Sequence, residues 1–390
     1  MTNVFKLFTV LLLAVFSSLL IACGGNGSTD SEEQTEPGTA YTITFDANSG
    51  TGGPTTVEAT FGQPMPNLGT QTAPTRTELL YAFDGYFDSQ TGGIKYYNSD
   101  LTSARTWDKD SNATLYARWR HMNETVWISS GSFQMGSPTN EPGHNSAPRE
   151  NLHTVTLTAG FRMGKYLVTQ ELYTLVMGTN PSNFSSNPAA GEVQSLRPVE
   201  SLSWYSAIVF CNRLSIIEEL TPAYRINNST NPNDWGTVPT SNNATWNAVQ
   251  IVENSTGYRL PTEAQWEYAC RAGTATAYNT GAAITDNTGW YTSNSNDRTH
   301  QAGLLPANAR GLHDMHGNVW EWCWDWLAID AYGPVGGTRT NPTGPGSSDY
   351  RVMRGGSYNM PASLLRSAQR NGLDPSNSLD YSTGLRVIRP

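Results

Sequence analysis

Residues 311–322 read Gly-Leu-His-Asp-Met-His-Gly-Asn-Val-Trp-Glu-Trp and combine two kinds of residue in one short stretch. Glycine, asparagine and aspartate are typical of loops, whereas tryptophan carries a large ring that usually lies in a core. The whole chain repeats this combination, with 12 Trp and 18 Tyr among many Asn, Ser, Gly and Thr residues. The composition therefore predicts a loop-rich domain with an aromatic core and polar surface loops.

Five further blocks accompany this stretch along the C-terminal part of the chain. They are residues 131–137, 164–169, 198–204, 258–268 and 354–358. The six blocks, in this order, resemble the motifs of the formylglycine-generating enzyme family, also called the sulfatase-modifying factor family. The resemblance covers residues 122–390 and implies an α+β domain with a C-type-lectin-like fold, much loop and modest helix and strand.

The oxidase activity of that family depends on two cysteines that follow the Gly-Gly-Ser-Tyr block and bind copper. Thiolates are needed there because they hold Cu(I) and bring redox chemistry with them. In this chain the block is residues 355–358, and no cysteine occurs anywhere after Cys323. We therefore expect no copper and no oxidase activity, with a formylglycine-generating oxidase or another sulfatase-modifying activity as the alternative.

The resemblance also implies a structural calcium site in the opening stretch. Calcium takes several oxygen ligands from carboxylates and backbone carbonyls. Matched to the calcium loop of the family, Asp314 and Glu321 supply carboxylates, while Gly317 and Val319 supply carbonyls. The alternative is that Glu321 and the following tryptophan only support the core.

The last forty residues alternate family-like anchors with polar stretches that look unconstrained. Fixed backbone beside free side chains is the design of a binding surface. The segment resembles the C-terminal variable region of the target proteins of diversity-generating retroelements, and it predicts binding of a protein or glycan; an ordinary C-terminal loop and strand is the alternative. The candidate ligand-binding residues are Tyr358, Asn359, Met360, Ala362, Ser363, Leu364, Gln369, Asn371, Leu373, Asn377 and Tyr381.

Capping residues predict three helices in residues 122–390. Thr169, Ser203 and Thr262 each precede an apolar helical pattern, and Thr262 begins a capping-box spacing. Glycines at positions 178 and 273 are expected to end the first and third helices. A hairpin is also predicted, with strands at residues 223–226 and 248–252.

Residues 41–120 form a separate unit of short alternating stretches, at 41–45 and 113–119, around a Gly- and Pro-rich middle. Alternation of this kind predicts half-buried strands. The unit resembles a Listeria/Bacteroides-type repeat, which implies a small all-β or β-grasp-like module of surface proteins. We interpret it as a spacer that lifts the next domain away from the membrane; a dedicated binding role is the alternative.

The N-terminus predicts export and lipid attachment. Lys6 precedes an apolar run that ends at Cys23, which is the layout of a secretory signal. The junction resembles a bacterial lipobox, with a signal peptide at 1–22, acyl chains on Cys23 and a flexible polar tether at 23–40. We therefore expect an exported lipoprotein held in a membrane, at the cell surface or outer membrane; an ordinary signal peptide is the alternative.

Net charge and cysteine content limit the partners and the disulfides that the chain can have. The formal net charge is −9, which argues against nucleic acid as a partner because nucleic-acid binding needs a basic face. After Cys23 only Cys211, Cys270 and Cys323 remain. One disulfide with one free thiol, or three buried thiols, are both compatible with this odd number.

Overall fold

The computed structural model describes residues 38–390 except 146–147, 331–332 and 334. The predicted signal peptide, Cys23 and all but the end of the predicted tether lie outside the described residues. No helix in the described part of the chain is long and apolar enough to cross a membrane.

The N-terminal module is a five-stranded sheet with the strand order β2-β1-β5-β3-β4. Its first and last strands pair in parallel, and its other pairings are antiparallel. Both strands predicted from the alternating stretches are present, and residues 38–121, all described, contain no helix. The module is therefore all-β. Its strands are β1 Ala40–Asp46, β2 Thr56–Thr60, β3 Tyr81–Phe87, β4 Lys95–Asn98 and β5 Ala113–His121.

The helices of the second domain begin at the predicted caps. The hydroxyl groups of Thr169, Ser203 and Thr262 accept hydrogen bonds from backbone N–H groups of the first turns, and Thr262 forms the complete capping box. Gly178 is the C-cap of the first helix as predicted, whereas the C-cap of the last helix is Ala272, one residue before the predicted glycine. The helices are α1 Gln170–Met177, α2 Trp204–Ile217, α3 Ala244–Asn247 and α4 Glu263–Arg271.

The described residues of the second domain form four small sheets. They have the orders β15-β14-β12-β16, β13-β8-β7, β17-β9-β6 and β10-β11. The strands are β6 Thr125–Ile128, β7 Gly131–Met135, β8 His153–Leu157, β9 Phe161–Gly164, β10 Tyr224–Arg225, β11 Gln250–Ile251, β12 Trp320–Trp326, β13 Thr338–Thr340, β14 Arg351–Arg354, β15 Arg370–Leu373, β16 Thr383–Gly384 and β17 Ile388–Arg389. This mixture of short helices, short strands and long loops confirms the predicted α+β, C-type-lectin-like fold.

The predicted hairpin is present but shorter than expected. Tyr224 and Arg225 pair antiparallel with Ile251 and Gln250. α3 begins at the cap Asn243, which accepts from two backbone N–H groups, and ends at Asn247 with Ala248 as its C-cap. The first residues of the predicted second strand are therefore not in the strand, because the chain there leaves a capped helix.

Candidate functional site

Buried ion pairs fix the backbone of the C-terminal region. Arg366 is fully buried, and its guanidinium forms two 2.9 Å hydrogen bonds with the carboxylate of Glu150 and one of 2.7 Å with Glu141. Paired guanidinium and carboxylate groups of this kind give strong, directional bonds. The pairs tie residue 366 to the loop that follows β7.

A second group of ion pairs anchors the start of β15 to α4. Arg370 donates to both oxygens of Glu263 at 2.6 and 2.8 Å. Arg354 pairs with Glu267 and also donates to the carbonyls of residues 367–369. The strand and the turn before it are thus held by charges that are shielded from water.

Hydrogen bonds from the loop residues 278 and 292 hold the backbone of the segment 359–364. The backbone N–H of Thr292 donates to the carbonyl of Met360 at 3.1 Å, and the Tyr278 hydroxyl donates to the carbonyl of Ala362 at 2.7 Å. Main-chain positions 360 and 362 are therefore bound, while the side chains of the flanking residues Asn359 and Ser363 are exposed.

The loop after β15 is held by three side-chain turns. Asp374, Asn377 and Asp380 each accept a hydrogen bond from the backbone N–H two residues later, at 2.8, 2.9 and 2.8 Å. Such turns replace the contacts that a regular element would give. The loop presents Leu379 and Tyr381, which are 80% and 51% exposed.

The eleven predicted ligand-binding residues divide by exposure. Residues 358–364 lie on one segment and residues 371–381 on another, and Gln369 lies between them in the sequence. The exposed residues are Asn359, Ser363, Asn371 and Tyr381; the half-buried ones are Met360, Ala362, Leu364, Leu373 and Asn377; the buried ones are Tyr358 and Gln369.

The last two are corrections to the predicted surface. Tyr358 is 5% exposed and packs edge-on against Phe184, with 5.1 Å between the ring centroids. Gln369 is 7% exposed; its amide oxygen accepts from Arg366 and its nitrogen donates to the carbonyl of Arg370. Both side chains support the backbone and are not presented to a ligand.

Sequence reasoning missed Leu379. It is the most exposed of the large apolar side chains in the described part of the chain. A leucine between Ser378 and Asp380, in an otherwise polar stretch, was the available signal. We define the C-terminal surface as the nine exposed or half-buried predicted residues together with Leu379.

The three cysteines of the second domain are free and fully buried. Of the two alternatives left by the sequence, the structure therefore has three buried thiols. Burial raises the pKa of all three thiols, that of Cys270 to about 12. Thiols that stay protonated and shielded are poor nucleophiles and poor metal ligands.

Cys270 lies 3.7 Å from Nε2 of His316, a pairing that in other settings activates a thiol. Here the Nδ1–H of His316 donates to the carbonyl of Leu365, and Nε2 accepts from the backbone N–H of Asn279. Desolvation lowers the pKa of His316 to about 4. The imidazole is thus neutral and already engaged, so it supports packing and does not act as a base toward the thiol.

The predicted calcium loop fits a cation at one end only. Asp314 is 4% exposed; Oδ2 accepts from the N–H of Gly303, whereas Oδ1 has no hydrogen-bond partner in the described structure. Burial raises the pKa of this carboxyl. The free oxygen suits a calcium ligand at Asp314.

The other end of that loop does not fit a cation in this arrangement. Both oxygens of Glu321 accept from Arg386, at 2.9 to 3.2 Å, and Oε2 also accepts from Trp266. Gly317 adopts a φ of 87°, and Val319 is fully buried. Among the described residues, no group of three or more His, Cys, Asp or Glu side chains is arranged to hold a metal.

The fold and these side chains define a C-type-lectin-like domain with exposed loops and shielded thiols. Residues 112–390 match the model of the sulfatase-modifying factor enzyme 1-like domain, and the chain belongs to this family.

Relatives of different kinds share the domain. The chain is 34% identical over 254 residues to the chaperone protein LppX of Paenibacillus barcinonensis, covering 60% of this chain and 81% of that protein. It is 36% identical over 153 residues to the formylglycine-generating enzyme of Streptomyces coelicolor, covering 36% of this chain but only 48% of that enzyme. Treponema denticola variable protein 1 has a similar structure, with a TM-score of 0.60 and 38% identity over 68% of this chain and 95% of that chain.

Proposed function

We propose that this chain is an exported lipoprotein, anchored in a membrane through Cys23, that binds a protein or glycan ligand outside the cell through its C-terminal surface. The observation that carries the proposal is the exposure of side chains such as Asn359, Leu379 and Tyr381 on a fixed backbone. The N-terminal sheet serves as the spacer between the anchor and this surface.

The rigidity of the backbone supports a binding role. Buried ion pairs at Arg366 and Arg370 and the three turns of residues 374–382 hold the main chain before any ligand arrives. A surface that is ordered in advance loses less conformational entropy on binding. Exposed leucine, tyrosine and asparagine side chains supply apolar contact and adaptable hydrogen bonds.

The thiols argue against the oxidase alternative. Copper chemistry of this family requires two accessible cysteines after the Gly-Gly-Ser-Tyr block, and residues 359–390 contain none. Cys270 and Cys323 are buried, and the pKa of each is raised. The similarity to the Streptomyces enzyme makes the oxidase the second candidate function.

Variation of the surface between gene copies is a further part of the proposal. The tail resembles the variable region of retroelement targets, and the similar Treponema denticola structure is titled a variable protein. We expect sequences of this locus from different isolates to differ at positions such as 359, 363 and 379, beside a near-repeat of the 3′ end and a reverse transcriptase gene. An invariant tail without either element would refute this part.

The binding proposal is tested with the full chain and two matched double variants. In one, Leu379 and Tyr381 are replaced by serine; in the control, the exposed apolar residues Leu79 and Ile94, in loops of the N-terminal module, are replaced by serine. Host and bacterial surface proteins and glycans captured by the unaltered chain should be lost with Leu379→Ser/Tyr381→Ser and kept with the control. Equal capture by both variants would contradict the proposal.

The oxidase candidate has its own assay. The full chain is incubated with copper, oxygen and a peptide that carries a sulfatase-type cysteine motif, and the peptide is analysed by mass spectrometry. We expect the cysteine to remain unchanged. Conversion to formylglycine would establish the enzyme and overturn the non-catalytic part of the proposal.

A further inference from the structure

Arg259 occupies a junction between the last strand and the beginning of α4. Its backbone exchanges two hydrogen bonds of 2.8 Å with Ile388. Its side chain is half-buried, and Nη1 donates to the carbonyl of Leu260 at 3.1 Å and to the amide oxygen of Gln265 at 3.0 Å. Every oxygen that this guanidinium contacts in the described structure is therefore neutral.

This environment differs from that of the arginines at positions 366, 370 and 386, each of which contacts a glutamate. No carboxylate of a described residue lies within 4.0 Å of the Arg259 guanidinium nitrogens. Desolvation lowers the pKa of Arg259, and Asp325 acts on it from a distance in the opposite direction. A partly desolvated cation without a contacting anion favours binding of an external one.

Arg259 also faces open space of the size of a small ligand. It lines a cavity of about 240 Å³ whose accessible apolar wall includes Ala159 and Pro342. Gln265, Asn341 and Thr343 line the same cavity with polar groups. A second cavity, of about 490 Å³, meets Arg259 beside Val252 and Thr256. The residues that line these cavities are different from those of the C-terminal surface.

The nearby helix end adds to the positive potential. The cavity reaches Thr262 and Gln265, the N-cap and third residue of α4, and a helix N-terminus carries a partial positive charge. The acidic Glu263 of the first turn does not cancel this effect, because Arg370 holds both of its oxygens.

We propose that Arg259 binds the carboxylate of a small organic acid or of a peptide end, with the apolar part of the ligand against Ala159 and Pro342. The planar guanidinium matches a planar carboxylate in a bidentate pair. A single cation in a chain of net charge −9 suits a monoanion better than a phosphate dianion. The apolar wall favours a ligand with a hydrocarbon or aromatic body.

The decisive variant is Gln265→Glu. It places a carboxylate where the Gln265 amide oxygen now lies, 3.0 Å from Arg259, and keeps the capping box because glutamate is also accepted at that position. The matched control is Gln250→Glu, since the amide oxygen of Gln250 accepts from the exposed Arg225 at 2.8 Å. Both variants add the same charge beside an arginine, but only the first fills the proposed site.

The probes are benzoate, methyl benzoate, inorganic phosphate and a short peptide ending in phenylalanine, with its carboxyl either free or amidated. Binding to the full chain is measured by ligand-observed NMR and titration calorimetry. Benzoate or the free-carboxyl peptide should bind, the ester and the amide should not, and Gln265→Glu should weaken binding at least about tenfold while Gln250→Glu changes it little. Binding of benzoate alone identifies a free acid as the ligand, and binding of the peptide identifies a peptide end.

Three outcomes would overturn the proposal. They are equal binding of benzoate and its ester, undiminished binding by Gln265→Glu, and binding of phosphate in place of both carboxylates. The melting temperature of Gln265→Glu, expected to equal or exceed that of the unaltered chain, shows that any lost binding does not come from unfolding.

Discussion

His316 donates its Nδ1–H to the carbonyl of Leu365 across 2.6 Å, which joins the most distinctive stretch of the sequence to the base of the C-terminal surface. The acceptor is a carbonyl, so the proton lies on Nδ1, and Nε2 is free to accept from Asn279. This arrangement uses the neutral imidazole, and burial is the main reason why the pKa falls to about 4.

The first prediction follows from this lowered pKa. Between pH 6.5 and 4, His316 becomes protonated in the unfolded chain but stays neutral in the folded chain. Acidification through this range therefore lowers the free energy of unfolding. The free-energy difference between the unaltered chain and His316→Asn should shrink by about 3 kcal/mol from pH 7 to pH 4. Urea unfolding at each pH measures it, and a constant difference would contradict the assignment.

The second prediction concerns the Arg366–Glu150 pair. Glu150→Gln leaves a buried guanidinium without its main partner and should lower the free energy of unfolding by about 3 to 5 kcal/mol. The control is Glu124→Gln at the partly exposed pair with Lys165, where the loss should stay below about 1 kcal/mol. Denaturant unfolding compares the two variants, and equal losses would refute the anchoring role.

The third prediction tests the state of the thiols. Cys211, Cys270 and Cys323 are buried and unpaired, so a maleimide should label none of them in the native chain. In guanidinium chloride without reductant all three should react. Labelling of fewer than three after unfolding would indicate a disulfide, and labelling before unfolding would mean that a thiol is accessible.

The fourth prediction tests whether Asp314 is a ligand of the structural calcium that the sequence predicts. The carboxylate oxygen without a partner is the basis for this expectation. A chelator should lower the melting temperature of the unaltered chain but not that of Asp314→Asn, while Asp349→Asn, in an exposed loop, should keep the response. An unchanged melting temperature after exhaustive chelation would refute the calcium site. Glu321 would then serve only to stabilise the core through its ion pair with Arg386.

The fifth prediction addresses the rigidity of the loop that carries Leu379. The carboxylate of Asp380 accepts from the backbone N–H of Ser382 and, at 2.9 Å, from the hydroxyl of Thr383. Asp380→Ala removes these bonds and should raise the rate of chymotryptic cleavage after Tyr381 by about tenfold. Asp349→Ala serves as the control and should leave the rate unchanged; equal cleavage of all three chains would show that the turns do not restrain the loop.

Much of the scaffold could be predicted because its signals are local. The N-caps at Thr169, Ser203 and Thr262 act on backbone groups within three residues, so the sequence alone located the helix starts. The strand predicted at residues 248–252 is shorter than expected because a second local signal, the helix cap Asn243, begins a short helix just before it.

The sequence by itself determined the family, the fold class, the helix starts and the lack of cysteines after residue 323, because motif order and residue identity are written in the chain. Only the tertiary structure decided that Tyr358 and Gln369 are buried, that Leu379 is exposed and that Arg366 meets Glu150. Burial and ion pairing depend on segments that are distant in sequence; the Arg366–Glu141 pair, for example, joins residues 225 positions apart. No local pattern specifies such neighbours, and their packing decides which tail side chains remain available to a ligand.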